Sequence, residues 1–483
     1  MTEIQRLNKI VKANDIRGLV PEDLDVDLAT ALGAAAADTI SGNERGRQLV
    51  IGHDMRPSSP ELVEAFAAGA QTRGADVTVI GLCSTDGLYH ASGALNRAGA
   101  MFTASHNPAE YNGIKLCFPG AQPVGIESGL ATLRDLAGQY ITEYKENGAI
   151  TPAPHSGTRV ERDTLRDYAQ YLRSLVDLNA RRRLRVVVDA GNGMAGITVP
   201  AVFGEAAGLD PLNIEIIPLY FELDGTFPNH PANPLEPENL RDLQRAVQNH
   251  EADLGLAFDG DADRCFVVDE RGEPVSPSAV TILVGLREVA IEKAAGRTPI
   301  IIHNLITSRA VPEMISDAGG EVVRTRVGHS FIKQEMARTS AVFGGEHSAH
   351  YYFRDFYGAD SGMLAAMHLL AAMQNVDSLL SELVAEYHPY VSSGEINSVI
   401  SDGGAAQARV VEYLTGTVAP GTAEVDGLDG LMVSHWEDSP RWWVSLRASN
   451  TEPLLRLNVE AEDQRTMEEI RDNVLALVRA EEK

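Results

Sequence analysis

One pattern recurs three times along this chain, and it restricts the available folds more than any other feature. From Leu49, LVIGHDMRPSSPELVEAFAAGA leads to ADVTVIGL; from Val186, VVVDAGNGMAGITVPAVFGEAA leads to NIEIIPLYF; from Ile300, IIIHNLITSRAVPEMISDAGG leads to EVVRTRVGHS. Each reads as a buried strand, a polar turn, a helix and a second strand. An unbroken apolar run followed by a helix marks βαβ construction. Copies so far apart in a 483-residue chain predict three similar α/β domains with mixed sheets, not a solenoid.

Composition places the junctions. ENGAITPAPHSGT, around Asn147–Thr158, has the Gly, Pro and Ser content of a linker. A second boundary is expected near Ala252–Ala257, before a new strand, and a third between Gln374 and Ser393. From about Ser398 the pattern changes to LMVSHW, RWWVSLRAS and LLRLNVE, then a helix from Thr466. That predicts a smaller C-terminal α+β domain with antiparallel strands. The expected division is 1–152, 153–254, 255–375 and 376–483, with the metal- and sugar-binding segments both in the third domain.

Charge narrows the partners. The chain carries 41 basic and 68 acidic residues, a net charge of −27. Such a surface repels phosphate backbones and anionic membranes, so neither nucleic acid nor membrane is an expected partner. An anionic substrate would need Arg and Lys gathered locally. The cysteines Cys83, Cys117 and Cys265 form no CxxC pair, and the opening MTEIQRLNKIVKANDIRG has no apolar core. A reducing cytoplasmic setting without a secretory leader is expected.

Four segments carry chemistry. Thr103-Ala104-Ser105-His106-Asn107-Pro108, with Lys115 nearby, reads as a tight exposed loop where a hydroxyl could meet a substrate. Alone it reads better as a plain Asn-Pro turn, and no G-x-S-x-G elbow surrounds Ser105. Asp259-Gly260-Asp261-Ala262-Asp263-Arg264 lies between the apolar runs LGLAF and CFVVD. Alternate positions in extended backbone share a side, so three carboxylates converge and call for a cation; all-oxygen ligation suits Mg²⁺. An EF-hand would put Glu270 at position twelve but needs Gly where Arg264 stands. Gly345-Glu346-His347-Ser348-Ala349-His350 offers an acceptor and a hydroxyl that can bracket adjacent sugar hydroxyls. Arg447-Ala448-Ser449-Asn450-Thr451-Glu452-Pro453 offers charged and neutral donors suited to a phosphate dianion. Gly191-Asn192-Gly193-Met194-Ala195-Gly196 fits a dinucleotide fingerprint, but no acidic residue ends a strand at the right distance, so a tight strand–helix turn is the better reading.

Taken in order, TASHNP, DGDADR, GEHSAH and RASNTEP resemble the α-D-phosphohexomutase family over essentially the whole chain. The resemblance implies four domains around a central cleft. It implies that Ser105 carries a phosphoryl group, with His106 and Lys115 aiding proton transfer and charge neutralisation, and that Arg17 and His329 belong to the catalytic set. Asp259, Asp261 and Asp263 match Mg²⁺ ligands, with phosphorylated Ser105 as the fourth. Arg264 matches a residue beside the metal loop, Glu346 and Ser348 the sugar contacts, Lys333 a further substrate contact, and Arg447, Ser449, Asn450 and Thr451 the site of the non-reacting phosphate. Two positions depart from the family pattern. Asn14 stands where Tyr usually precedes Asp-Ile-Arg-Gly, and Asn304-Leu305-Ile306-Thr307 lacks a substrate-contacting Lys.

The expected activity is phosphomannomutase, with phosphoglucomutase activity as a companion, through a hexose 1,6-bisphosphate intermediate. GEHSAH followed by YYFRDF resembles that branch more than glucosamine mutases, which resemble GEQSGH. A small phosphosugar is the expected partner and a monomer or homodimer the expected state. A phosphohydrolase with an aspartate nucleophile and a non-catalytic phosphosugar-binding protein remain as alternatives of a different class.

Overall fold

The computed structural model describes residues 2–43, 46–178, 182–400, 402–448 and 454–480. Three sheets repeat one design. In the first, Asp76–Leu82, Gly46–His53 and Ala98–Phe102 run parallel, and Tyr111–Phe118 and then Ile16–Leu19 add antiparallel. In the second, Ile214–Leu219, Leu184–Asp189 and Leu254–Phe258 run parallel, followed by antiparallel Cys265–Asp269 and Pro274–Val275. In the third, Glu321–Thr325, Ile300–Asn304 and Phe343–Gly345 run parallel, followed by antiparallel Tyr351–Phe353 and Ala359–Asp360.

The strands are where their composition puts them. Ala98–Phe102, Leu254–Phe258 and Cys265–Asp269 are buried at every position, as continuous apolar runs require when helices cover both faces. Two long buried helices of the third unit begin at side-chain caps. Ser276 Oγ accepts the Ala279 amide at the start of Pro277–Ala294, and Ser361 Oγ accepts the Leu364 amide at the start of Gly362–Gln374. Gly362–Gln374 is apolar almost all round and buried accordingly. The second and third units share one continuous core, and the first has its own. Each fully buried Val, Leu or Ile side chain there contributes about 1.5–3 kcal/mol.

The fourth unit is an antiparallel sheet covered by the helices Gly403–Gly416 and Gln464–Val478. It docks on the third through Leu305, Met432, Trp436 and Trp443. The indole N–H groups are satisfied there: Trp436 Nε1 donates to Glu313 at 2.7 Å and Trp443 Nε1 to Glu460 at 2.7 Å. Among the described residues no helix is long and apolar enough to cross a membrane.

One expectation is corrected. The strand Leu254–Phe258 does not open the third unit; it pairs with Leu184–Asp189 and completes the second sheet. A strand that begins a unit and one that ends the parallel part of the previous unit have the same apolar composition, so sequence alone does not separate them. The expected boundary at 255 moves beyond the antiparallel strand Pro274–Val275, and the metal loop belongs to the second unit.

Candidate active site

The correction exposes a regularity. In every one of the three sheets the site segment is the turn from the third parallel strand into the antiparallel fourth. Ser105 lies between Ala98–Phe102 and Tyr111–Phe118, Asp259–Arg264 between Leu254–Phe258 and Cys265–Asp269, and Glu346–His350 between Phe343–Gly345 and Tyr351–Phe353. Arg447 is the penultimate residue of the strand Trp442–Ala448 of the fourth unit, before another antiparallel partner, Leu454–Ala461. Ser449, Asn450 and Thr451 lie outside the described residues.

Ser105 is buried, and its backbone is left-handed at φ 50°. That conformation costs a non-glycine residue on the order of 1 kcal/mol. Its amide donates to Thr103 Oγ1 at 2.8 Å. Its Oγ donates to Asp259 Oδ2 at 2.8 Å, with His106 Nδ1 at 3.2 Å. Arg264, itself buried, donates through Nε and Nη2 to Asp259 Oδ2 at 2.8 and 2.7 Å, and also to His106 Nδ1. A guanidinium has no acceptor, so His106 Nδ1 is unprotonated and the ring proton is on Nε2. Burial, reinforced by Arg264 and Arg17, pushes the His106 pKa well below the ordinary range.

The three aspartates are fully buried, and one oxygen from each lies within 4.8 Å of the others. Lys115 Nζ reaches Asp261 at 2.7 Å and Asp263 at 2.5 Å. Burial alone would raise the Asp261 carboxyl, but Lys115 holds it well below the usual carboxylate range. Burial pushes Asp259 up to about 6 against the opposing charge of Arg264. Burial likewise opposes the Lys115 charge, and Asp261 and Asp263 more than restore it. Oδ1 of Asp261 and Oδ1 of Asp263 are buried without a hydrogen-bond partner. Orphaned carboxylate oxygens of this kind call for a cation, and an all-oxygen set fits a hard divalent ion. Glu270, the EF-hand candidate, accepts instead from the Ser381 amide and hydroxyl.

The metal loop is held from two sides. Thr85 bonds it twice, Oγ1 to Asp261 Oδ2 at 2.6 Å and the amide to the Asp261 carbonyl at 3.0 Å. On the other side the glycine-rich turn of the second unit carries it: the Met194 amide donates to the Gly260 carbonyl at 2.9 Å, and a Cβ on Gly193 would lie 2.7 Å from that oxygen. Close packing against the metal loop accounts for that glycine without a nucleotide.

Glu346 is buried with both oxygens engaged. Oε1 accepts from Asn304 Nδ2 and the Gly328 amide, each at 3.1 Å, and Oε2 from Tyr352 OH at 2.7 Å. Asn304, the position where a lysine was missed, thus orients Glu346. Ser348 is half-buried in the same turn, and His329 is the first residue of the helix His329–Thr339. Burial, then Lys333, lowers the His329 pKa to about 3, so its ring is neutral. Lys333, expected as a substrate contact, has protein partners in this structure. It is buried, ion-paired to Asp360 at 2.7 Å and seated 4.0 Å from the Tyr89 ring centre. Asp360 also receives His350 Nδ1 at 3.0 Å. Arg17 donates to Asn107 Oδ1 at 2.6 Å, beside the serine loop. Arg447 faces Glu395 and Asp429 at 3.9 and 3.6 Å, close enough for Glu346 to act on its charge.

Sequence reasoning missed Thr85, Asn304, Tyr352 and Arg56, whose guanidinium holds the serine loop. It also missed Asp86, a buried carboxylate that receives Ser84 and Tyr168 OH and Ser361 Oγ, from three different units. A threonine opening a helix and an Asp-x-Arg in a turn carry no local mark of such roles.

Comparison with known proteins agrees with this geometry along the whole chain. Family models of phosphoglucomutase/phosphomannomutase match in order: alpha/beta/alpha domain I over 8–131, domain II over 166–272, domain III over 279–390 and the C-terminal domain over 395–477. The chain is 40% identical to the phosphohexose mutases of Xanthomonas campestris pv. campestris over 464 residues, 95% of this chain and 96% of that one. It is 36% identical to a phosphomannomutase of Escherichia coli over 475 residues, 97% and 98% of the two chains. A solved phosphoglucomutase/phosphomannomutase family protein from Burkholderia thailandensis superposes with a TM-score of 0.82 at 28% identity, covering 100% of this chain and 99% of that one. With four family models matched in order and relatives 36% and 40% identical over almost the whole length, this chain belongs to the phosphoglucomutase/phosphomannomutase family.

Proposed function

We propose that the chain is a phosphomannomutase that interconverts mannose 6-phosphate and mannose 1-phosphate, and that it also accepts glucose phosphates. The observation that carries this reading is the hydrogen bond from Ser105 Oγ to Asp259, one of three clustered buried carboxylates, of which Asp261 and Asp263 each keep an orphaned oxygen. A serine used as a phosphoryl carrier needs positioning and charge neutralisation more than covalent activation. The carboxylates of Asp259, Asp261 and Asp263, with the Ser105 phosphate, would hold Mg²⁺, which supplies neutralisation of phosphoryl charge when bound.

Transfer runs from the phosphoserine to the free hydroxyl of a bound hexose phosphate. The bond from phosphorus to Oγ breaks as the bond to the sugar oxygen forms, giving hexose 1,6-bisphosphate. The sugar then turns end for end, and its other phosphoryl group returns to Oγ. Lys115 and Arg264 balance charge around the transferring group, and neutral His329 and His106 are the groups assigned to proton exchange. Glu346 and Ser348 grip ring hydroxyls that occupy similar places in both orientations. Arg447, with Ser449, Asn450 and Thr451, takes the phosphate that does not react, and Arg17 steadies the serine loop through Asn107. Lys333 is assigned to holding Asp360 in place of a direct sugar contact. The cytosol suits this chemistry, and the free thiols of Cys83, Cys117 and Cys265 stay reduced there.

Side-by-side assay of mannose 1-phosphate, glucose 1-phosphate and glucosamine 1-phosphate, with and without EDTA, tests the reading. Mannose and glucose phosphates should turn over, and chelation should stop both. Phosphate release without isomerisation, or labile acyl phosphate in place of acid-stable phosphoserine, would favour a phosphohydrolase.

A further inference from the structure

The side chain of Arg56 is fully buried, and every N–H of its guanidinium has an acceptor. Nε donates to Asp54 Oδ2 at 3.1 Å. Nη1 donates to the carbonyls of Pro108 and Tyr111 at 2.7 and 2.9 Å, and Nη2 to those of Ser105 and Asn107 at 3.0 and 2.7 Å. Four of the five acceptors are therefore carbonyls of the single loop that carries Ser105. Asp54 is locked in turn by the Arg56 amide at 3.0 Å and Ser59 Oγ at 2.9 Å. The second unit covers the assembly. The Phe227 ring centre lies 5.2 Å from the guanidinium carbon, and Gly225 packs so closely that a Cβ there would be 2.7 Å from Arg56 Cα.

We infer that Arg56 is the positioning residue for phosphoryl transfer. Its guanidinium holds the serine loop in the one shape that aims Oγ at Asp259, and Phe227 holds the guanidinium. The inference rests on the reading of Ser105 as phosphoryl carrier. The physical argument is one of donor count and direction. Residues 105–111 turn four carbonyls inward, and each needs a donor once buried. Five donors in a rigid plane reach all four and the Asp54 anchor, whereas a lysine brings three donors on one nitrogen and cannot span them. That plane helps offset the cost of the left-handed backbone of Ser105. Arg56 touches no reacting atom, so its loss should displace Oγ while leaving the sugar and phosphate grips of the third and fourth units intact.

The test uses the full-length enzyme, Arg56→Lys, Arg56→Gln and Phe227→Leu, with mannose 1-phosphate as substrate and glucose 1,6-bisphosphate to load Ser105. Circular dichroism and melting establish folding, and intact mass gives the phosphorylated fraction. Expected for Arg56→Lys is a kcat, per phosphorylatable Ser105, reduced on the order of 100-fold with KM within about threefold, as for a misplacement of about 1 Å. Phe227→Leu keeps every Arg56 hydrogen bond and should lower kcat by about three- to tenfold at unchanged KM, since removing the ring loosens the guanidinium. A merely structural Arg56 would lower the melting temperature and leave that normalised kcat alone, which overturns the inference. Should both Arg56 variants fail to fold, an unaltered kcat in Phe227→Leu overturns it. If wild-type enzyme takes up no acid-stable phosphate on Ser105, the carrier reading itself fails, whatever Arg56→Lys shows.

Discussion

Ser105 Oγ and Asp259 Oδ2 stand 2.8 Å apart although 154 residues separate them in the chain. The bond joins the serine turn of the first sheet to the metal turn of the second, so the reactive group is assembled between units. Ser105→Ala should therefore lose turnover to below detection while the fold and the sugar grip survive. Calorimetric binding of mannose 1-phosphate within a few-fold of wild type, with no isomerisation, is the expected outcome; full mutase activity in this variant would end the phosphoserine mechanism.

Metal binding should be visible without catalysis. A ligand that binds only the native state stabilises it by about 2.7 kcal/mol at one hundred times its dissociation constant. Mg²⁺ should raise the melting temperature of the wild-type protein and EDTA should reverse the rise. Asp261→Asn removes charge from a carboxylate with an orphaned oxygen and should abolish most of the shift. A melting temperature indifferent to Mg²⁺ would remove the metal from the site.

Glu346 is held by Asn304, the Gly328 amide and Tyr352 OH. Hydrogen bonds to charged groups contribute about 1.5–3 kcal/mol each. Glu346→Gln should reduce kcat/KM for mannose 1-phosphate about ten- to a hundredfold, because the sugar grip and its orientation weaken together. Tyr352→Phe deletes one donor only and should cost about tenfold or less. Steady-state kinetics of the two variants check the order; a Glu346→Gln enzyme equal to wild type contradicts it.

The glycine-rich turn can be probed at two positions. A Cβ at Gly193 meets the Gly260 carbonyl of the metal loop at 2.7 Å, whereas one at Gly196 meets the Phe221 carbonyl at 2.2 Å, outside that loop. Both alanine variants should lose about 1–3 kcal/mol of stability through overpacking. Gly193→Ala alone should also weaken Mg²⁺ binding, because it pushes on the metal loop. Chemical denaturation with metal titration separates the two effects, and equal metal affinity in both variants would refute the packing role.

Glu292 supplies a pH signature away from the chemistry. Hydrogen bonds from Arg354 and Arg297 bring its carboxyl down to about 2 from an ordinary 4.5. The folded state thus binds this proton less tightly than the unfolded chain, so the contribution is full above about 4.5 and is lost as pH falls through about 2. Arg297 is half exposed, and screening reduces the effect to about 1–2 kcal/mol. The stability gap between wild type and Glu292→Gln should close across that window. A gap constant from pH 6 to pH 2 would show that the ion pairs are not its source.

Much of this was legible in the linear chain because it rests on residue type and order. The apolar runs at Leu49, Val186 and Ile300 do become parallel strands, and DGDADR does gather three carboxylates. The error at 255 has a physical origin: LGLAF is a buried strand whichever sheet receives it, and only pairing with Leu184–Asp189 assigns it. In the letters Asn304 shows only as a departure from a family lysine, because its partner, Glu346, lies 42 residues away. Lys333 is placed at the substrate by the resemblance alone, and only the packing shows its contact with the Tyr89 ring and its ion pair with Asp360.

The sequence by itself determined the repeated α/β units, the kinds of groups at the site and the order in which they come. Those properties follow from side-chain chemistry and from periods of two or a few residues. The tertiary structure alone decided that the three site loops are the same turn in three sheets, and that Thr85 meets Asp261 across 176 residues. It alone decided that one arginine serves four carbonyls of the serine loop. Backbone carbonyls are identical at every residue, so their convergence on Arg56 leaves no trace in the letters and exists only once the loop is folded around it.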